Sequence, residues 1–132
     1  MNYLKLIIGI NILCLSCSSP SITEEYVINN QTESQIIIYF DETSYHNIKQ
    51  GESRTVFIDT GANGGGHPFL TDSVWVENES TRIVFYEKNY SEQRNIYDIN
   101  NNWDSEVVSD KKYKTHYKYT YTITEEDFVS SN

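Results

Sequence analysis

Residues 113–123 read YKTHYKYTYTI, and their alternation decides the fold class. The odd positions carry Tyr113, Thr115, Tyr117, Tyr119, Tyr121 and Ile123, and the even ones Lys114, His116, Lys118, Thr120 and Thr122. Successive side chains of a strand point to opposite faces, so the pattern predicts one aromatic and one polar face along roughly 36 Å of strand. Shorter runs of the same kind lie upstream: 25–29 (EYVIN), 35–40 (QIIIYF), 54–59 (RTVFID), 73–77 (SVWVE) and 81–86 (TRIVFY). Each is rich in β-branched and aromatic residues and bounded by Asn, Asp, Gly or Ser, which marks a strand. Residues 78–80 (NES) predict a hairpin turn and residues 49–52 (KQGE) another, with Gly51 available for a positive φ. After the long strand, Thr124 and the acids 125–127 predict one helical turn over 125–129. From residue 17 onward no segment sustains an apolar helical period. The expectation is an all-β antiparallel sandwich of about seven strands, immunoglobulin-like in general shape, with a small up-and-down barrel as the alternative.

The first residues have a different character. Lys5 precedes the apolar run 6–15 (LIIGINILCL), which is too short for the ~20 residues of a membrane-spanning helix and reads as the core of a secretory signal. It ends in Leu13-Cys14-Leu15-Ser16-Cys17, which resembles a lipobox, with small Ser16 before the acceptor Cys17. The position three before Cys17 departs from that pattern, holding Cys14 where a leucine is usual. The expected organisation is a signal peptide at 1–16, a lipidated tether at 17–23 and a β-sandwich domain at 24–132. Two or three acyl chains such as palmitate on Cys17 anchor stably where one does not. Ordinary cleavage after Ser18, releasing a secreted protein, is the competing reading.

Removing the signal leaves 116 of the 132 residues and takes the formal charge from −9 to −10 through loss of Lys5. That length makes one domain. That charge disfavours nucleic acid and favours cationic partners. With Cys17 acylated the mature chain has no thiol, which excludes disulfides, thiolate nucleophiles and cysteine-ligated zinc.

The order YVINN, an Ile-rich strand, IKQGES, a Gly-rich loop closing in HPFLTDSVWV and a late YKYTYTITEEDF resembles small uncharacterised lipoproteins of Bacteroidota. The resemblance implies a β-sandwich and a lipid-anchored outer-membrane address, and no activity. Asp72-Ser73-Val74 resembles the short acceptor pattern of protein O-glycosylation in those bacteria.

Several groups of residues invite chemistry. Residues 98–106 (DINNNWDSE) place oxygen-bearing side chains at alternate positions, as a Ca²⁺ loop does, but Trp103 stands where its glycine belongs and Ser109 where its glutamate belongs; an Asn-rich turn is the plainer reading. The loop 61–69 (GANGGGHPF) lacks the Lys and Ser/Thr of a phosphate-binding loop, and reads as an inter-strand loop or part of a recognition surface that includes His67. His46, His67 and His116 have no metal-ligand spacing, and no nucleophile signature occurs. Trp75, Trp103 and the tyrosines of the last strand are candidates for stacking on sugar rings, against the reading that they form the core; Trp103, in a polar loop, is the harder to bury. The triplets at Asn30, Asn78 and Asn89 match the glycan-acceptor pattern without implying use.

The expected function is a non-catalytic interaction module on the outer membrane, its periplasmic or surface face left open, binding a protein or glycan with no catalytic residue, cofactor or metal. The alternatives are a periplasmic inhibitor or immunity protein holding a basic enzyme or toxin, and a structural subunit of a surface assembly.

Overall fold

The computed structural model describes residues 19–64, 69, 71–89 and 94–129. They form an all-β sandwich of two four-stranded sheets. Sheet A contains β1 (Ser21–Asn30), β4 (Ser53–Gly61), β7 (Asp104–Lys111) and β8 (Lys114–Ile123), in the order β4-β1-β8-β7. Sheet B contains β2 (Ile36–Tyr39), β3 (Tyr45–Ile48), β5 (Ser73–Glu77) and β6 (Arg82–Tyr86), in the order β3-β2-β5-β6. The short helix α1 (Ile99–Asn102) precedes β7, and α2 (Glu125–Val129) follows β8, where the acids after Thr124 place it.

The long alternating strand becomes β8, and its odd residues Tyr121 and Ile123 are fully buried in the core, Tyr121 edge-on to Phe85 of β6. Among the described residues all pairings are antiparallel but one: β8 runs parallel to β1 over ten positions, from Ser21 beside Lys114 to Asn30 beside Ile123. The expected all-β sandwich is thus present, with β1 and β8 as a parallel pair inside an otherwise antiparallel arrangement. Pairing with so long a strand also draws β1 out to Ser21, so residues 21–23 belong to the sheet and not to a free tether.

Between the sheets, Ile28, Ile36, Ile38, Ile48, Val74, Val76 and Ile83 are almost wholly removed from water. One end of this core is closed by segment 94–103 and Phe69. Ile96 and Tyr97 turn inward, and Asn95 keeps the segment's polar groups satisfied by donating to the Tyr86 carbonyl and accepting from the Tyr97 N–H. The segment is pinned to the C-terminal turn by Arg94, which grips both carboxylate oxygens of Asp127 at 2.7 and 2.6 Å and lies over the Tyr121 ring. Both of these bonds come from Nη1, while Nη2 donates to the Thr122 carbonyl, so the two contacts together fix the orientation of the guanidinium.

Glycine is required at two turns. Gly51 has φ 73° in the β3–β4 turn, and its N–H donates to the Asn30 carbonyl. Gly64 has φ 61°, and a Cβ there would stand 3.1 Å from Ile22 Cγ2 and 3.4 Å from Glu24 Cδ, so a larger residue would be strained in its backbone and would press on side chains of β1.

Candidate functional site

In sheet B the sequence makes both faces of the central strands apolar. β2 reads IIIY and the middle of β5 reads VWV, so alternation alone leaves open which side meets the core. Ile36, Ile38, Val74 and Val76 take the inner face. Ile37, Tyr39 and Trp75 are thereby turned outward.

Register then assembles a surface from four separate segments. Tyr45 of β3 faces Tyr39 of β2, Tyr39 faces Trp75 of β5, and Trp75 faces Val84 of β6. The result is one apolar row running across the whole outer face. Tyr39 and Trp75 lie 5.2 Å apart and within 13° of parallel, and Tyr45 follows at 5.7 Å with a 37° tilt. Rings this close and this parallel are slipped over one another and do not lie flat side by side. From the other flank, the Arg82 guanidinium lies 5.9 Å from the Trp75 ring centre, so Trp75 is held between an aromatic ring and a cation. The ends of the row are the most open, with Tyr45 56% and Val84 38% exposed. A second row beside it, Asn47, Ile37, Glu77 and Arg82, is mostly polar and includes the Arg82–Glu77 ion pair. Tyr86, with Lys88 over its ring, borders the other side opposite Ser73. An apolar centre with a polar rim, rich in Trp, Tyr and Arg, is the composition of a protein contact surface.

The other singled-out aromatics are distributed differently. Trp103 is buried at 6% exposure, which corrects the expectation that it is the harder one to hide. Its indole N–H donates to the Ile96 carbonyl at 2.8 Å, and its ring packs on Tyr26, Phe69 and Tyr121. A tryptophan in a polar stretch can be buried once its one donor has a partner. Tyr121 is core, Tyr119 stacks on Tyr26 at 5.1 Å, and Tyr117 stacks in turn on Tyr119.

The remaining groups do not converge. His46 sits in sheet B with its ring edge-on to Phe40, while His116 lies on the outer face of sheet A, 3.1 Å from Glu25. His67 lies outside the described residues, as do Cys14 and Cys17. In segment 98–106, Asp98 caps α1 by accepting from the N–H and side-chain amide of Asn101, and β7 begins at Asp104. Among the described residues no group of three or more His, Cys, Asp or Glu is arranged to hold a metal ion. Asn30 is fully buried, so its triplet is inaccessible in the folded chain. Asn78 uses its side-chain oxygen to accept from the N–H groups of Ser80 and Thr81 and so builds the β5–β6 turn. Sequence reading singled out no carboxylate pair, but register sets Glu24 beside Asp59 across β1 and β4. Burial, followed by these two acids and Tyr119, pushes the Tyr26 hydroxyl up to about 12.

Burial, and then the nearby Arg54 guanidinium, lowers the pKa of His46 below its ordinary 6.5. The unfolded chain therefore takes up this proton before the folded one does. Stability associated with His46 is complete above pH 6.5 and is lost as pH falls from there through the lowered value. NMR titration is expected to place the His46 midpoint below 6.5, and His46→Asn to remove that part of the acid sensitivity seen in urea denaturation.

Comparison with protein-family models, with curated proteins and with solved structures finds no match to this chain. The class defined by the structure is an all-β sandwich, distinguished by an aromatic row on the outer face of one sheet.

Proposed function

We propose that the chain is a lipoprotein of the bacterial outer membrane, anchored through acyl chains on Cys17, whose sandwich is a non-catalytic interaction module binding a protein partner on the outer face of sheet B. The observation that carries the reading is the row Tyr45–Tyr39–Trp75–Val84, contributed by four strands and turned to solvent. A protein fits the row better than a glycan, because sugar stacking needs a free ring face and Trp75 is flanked by Tyr39 and Arg82. The mature charge of −10 favours a basic partner and speeds its approach. An inhibitor or immunity protein holding a basic enzyme is the special case in which that partner loses activity on binding.

A photoreactive residue at position 45 or 84 is expected to crosslink one partner in intact cells, whereas one at position 120, on the outer face of sheet A, is not. With the crosslinked protein purified, Trp75→Ala should weaken binding roughly 30-fold, as loss of an interface tryptophan does. The same change removes two cross-strand pairs, with Tyr39 and Val84, and should cost folding about 0.5–2 kcal/mol. Binding of a glycan array that Trp75→Ala abolishes, or an absence of crosslinks at both positions, would overturn the proposal.

A further inference from the structure

The cations of this acidic chain are unevenly placed. Of the ten Lys and Arg residues, Lys5 lies in the signal, and three of the remaining nine are Lys111, Lys112 and Lys114 at the β7–β8 turn. All three are exposed, as is Tyr113 between them, with the Lys112 ammonium over its ring at 5.0 Å. The turn lies beside the point where the chain enters the sheet. The Ser21 N–H donates to the Tyr113 carbonyl at 2.8 Å, and Pro20 and Ser21 line an open cavity of about 470 Å³ together with the three lysines and one acid, Asp110. Cys17 is four residues before Ser21, so even a fully extended chain keeps it within roughly 14 Å of this turn.

We infer that the β7–β8 turn is the membrane-facing surface of the domain and that Lys111, Lys112 and Lys114 bind the anionic headgroups of the bilayer holding the anchor. The inference rests on acylation of Cys17. It refines what net charge alone implies: a mature chain one unit more negative than the full-length −9, through loss of Lys5, is repelled by anionic lipid as a whole, yet its anchored end presents clustered lysines and an amphipathic tyrosine, the residue types favoured at such an interface. Each lysine close to an anionic leaflet shifts the equilibrium roughly fivefold, and three together about a hundredfold, enough to hold a tethered domain in one orientation. Standing on this turn, β8 carries α2 to the end farthest from the bilayer, and sheet B faces sideways along it.

The test uses the full-length protein purified with its acyl groups and reconstituted in vesicles. A fluorophore is placed on Ala62→Cys, beside the cavity, or on Val129→Cys, at the far end of β8, and quenched by lipids carrying a headgroup nitroxide. In vesicles containing phosphatidylglycerol, the dye at position 62 is expected to be quenched several-fold more than the dye at position 129. The contrast should shrink in phosphatidylcholine alone, in high salt, and in the triple variant K111E/K112E/K114E. Equal quenching at the two positions, or a contrast indifferent to lipid charge and to the triple variant, overturns the inference while leaving the anchor intact. Mass spectrometry of Cys17 separates the two readings, because an unmodified cysteine overturns both.

Discussion

Trp103→Ala is expected to cost roughly 3–5 kcal/mol of folding stability, the range for removing a buried aromatic side chain. The indole is in ring contact with Tyr26 and Tyr121 of sheet A and with Phe69, so its loss opens a cavity at the closed end of the core. It also leaves the Ile96 carbonyl without the N–H that satisfies it. For a domain of this size the melting temperature should fall by on the order of 10–20 °C. Trp103→Phe separates the two contributions, since it retains most of the packing and loses the hydrogen bond, and should cost about 1–2 kcal/mol beyond its change in volume. A Trp103→Ala protein that melts within a few degrees of the parent would show that the loop packs on the core without closing it.

The second large effect is expected at Asn30. Its side chain is wholly buried and uses all of its hydrogen-bonding capacity: the amide donates to the carbonyls of Ser34 and Ile48 at 2.8 and 3.0 Å, and the oxygen accepts from the N–H and hydroxyl of Thr32 at 2.9 and 2.8 Å. Because Asn30 ends β1 and Ile48 ends β3, this amide ties sheet A to sheet B. Asn30→Asp keeps the shape and reverses the chemistry, aiming a carboxylate at two carbonyl oxygens. Breaking such a site is expected to cost about 3–5 kcal/mol at neutral pH, against about 2–3 kcal/mol for Asn30→Ala, which leaves the partners unsatisfied without adding a charge. The sign of the pH dependence distinguishes the causes. Burial without a cation raises the folded pKa of the new acid, so the penalty is smallest below its unfolded value near 3.9 and grows as pH rises. Urea denaturation of Asn30→Asp and Asn30→Ala at acidic and neutral pH measures this directly. A gap between the two variants that does not widen toward neutral pH would mean the carboxylate has reached water.

Much of the architecture is legible along the chain. β5 falls on 73–77, the terminal helical turn on 125–129, and β8 within one residue of the 113–123 pattern, because each is specified by neighbours a few positions away. Two strands are not legible. β3 (YHNI) is too short and polar to show alternation, and β7 (DSEVVSDK) is an edge strand exposed along nearly all of its length. An edge strand is defined by backbone bonds to its neighbour, here β8, and needs no buried face of its own. Its register shift between Val107 and Ser109 and its acids also blunt it against pairing with another chain.

The candidate site was less legible still. Trp75 and Trp103 are the chain's two tryptophans, and local sequence ranks them the wrong way round: the one in an apolar strand lies part-exposed on the outer face of its sheet, and the one among Asn and Asp lies in the core. Six of the eight described strands and the alternation of their side chains can be read from the chain alone, a consequence of backbone geometry within each segment. Which of the two apolar faces of β2 and β5 is buried, the parallel pairing of β1 with β8, and the sharing of one row by Tyr45, Tyr39, Trp75 and Val84 arise only when the sheets assemble. Those outcomes depend on hydrogen-bond register between segments tens of residues apart and on which face finds a second sheet to cover it, and neither is encoded in the alternation of a single strand.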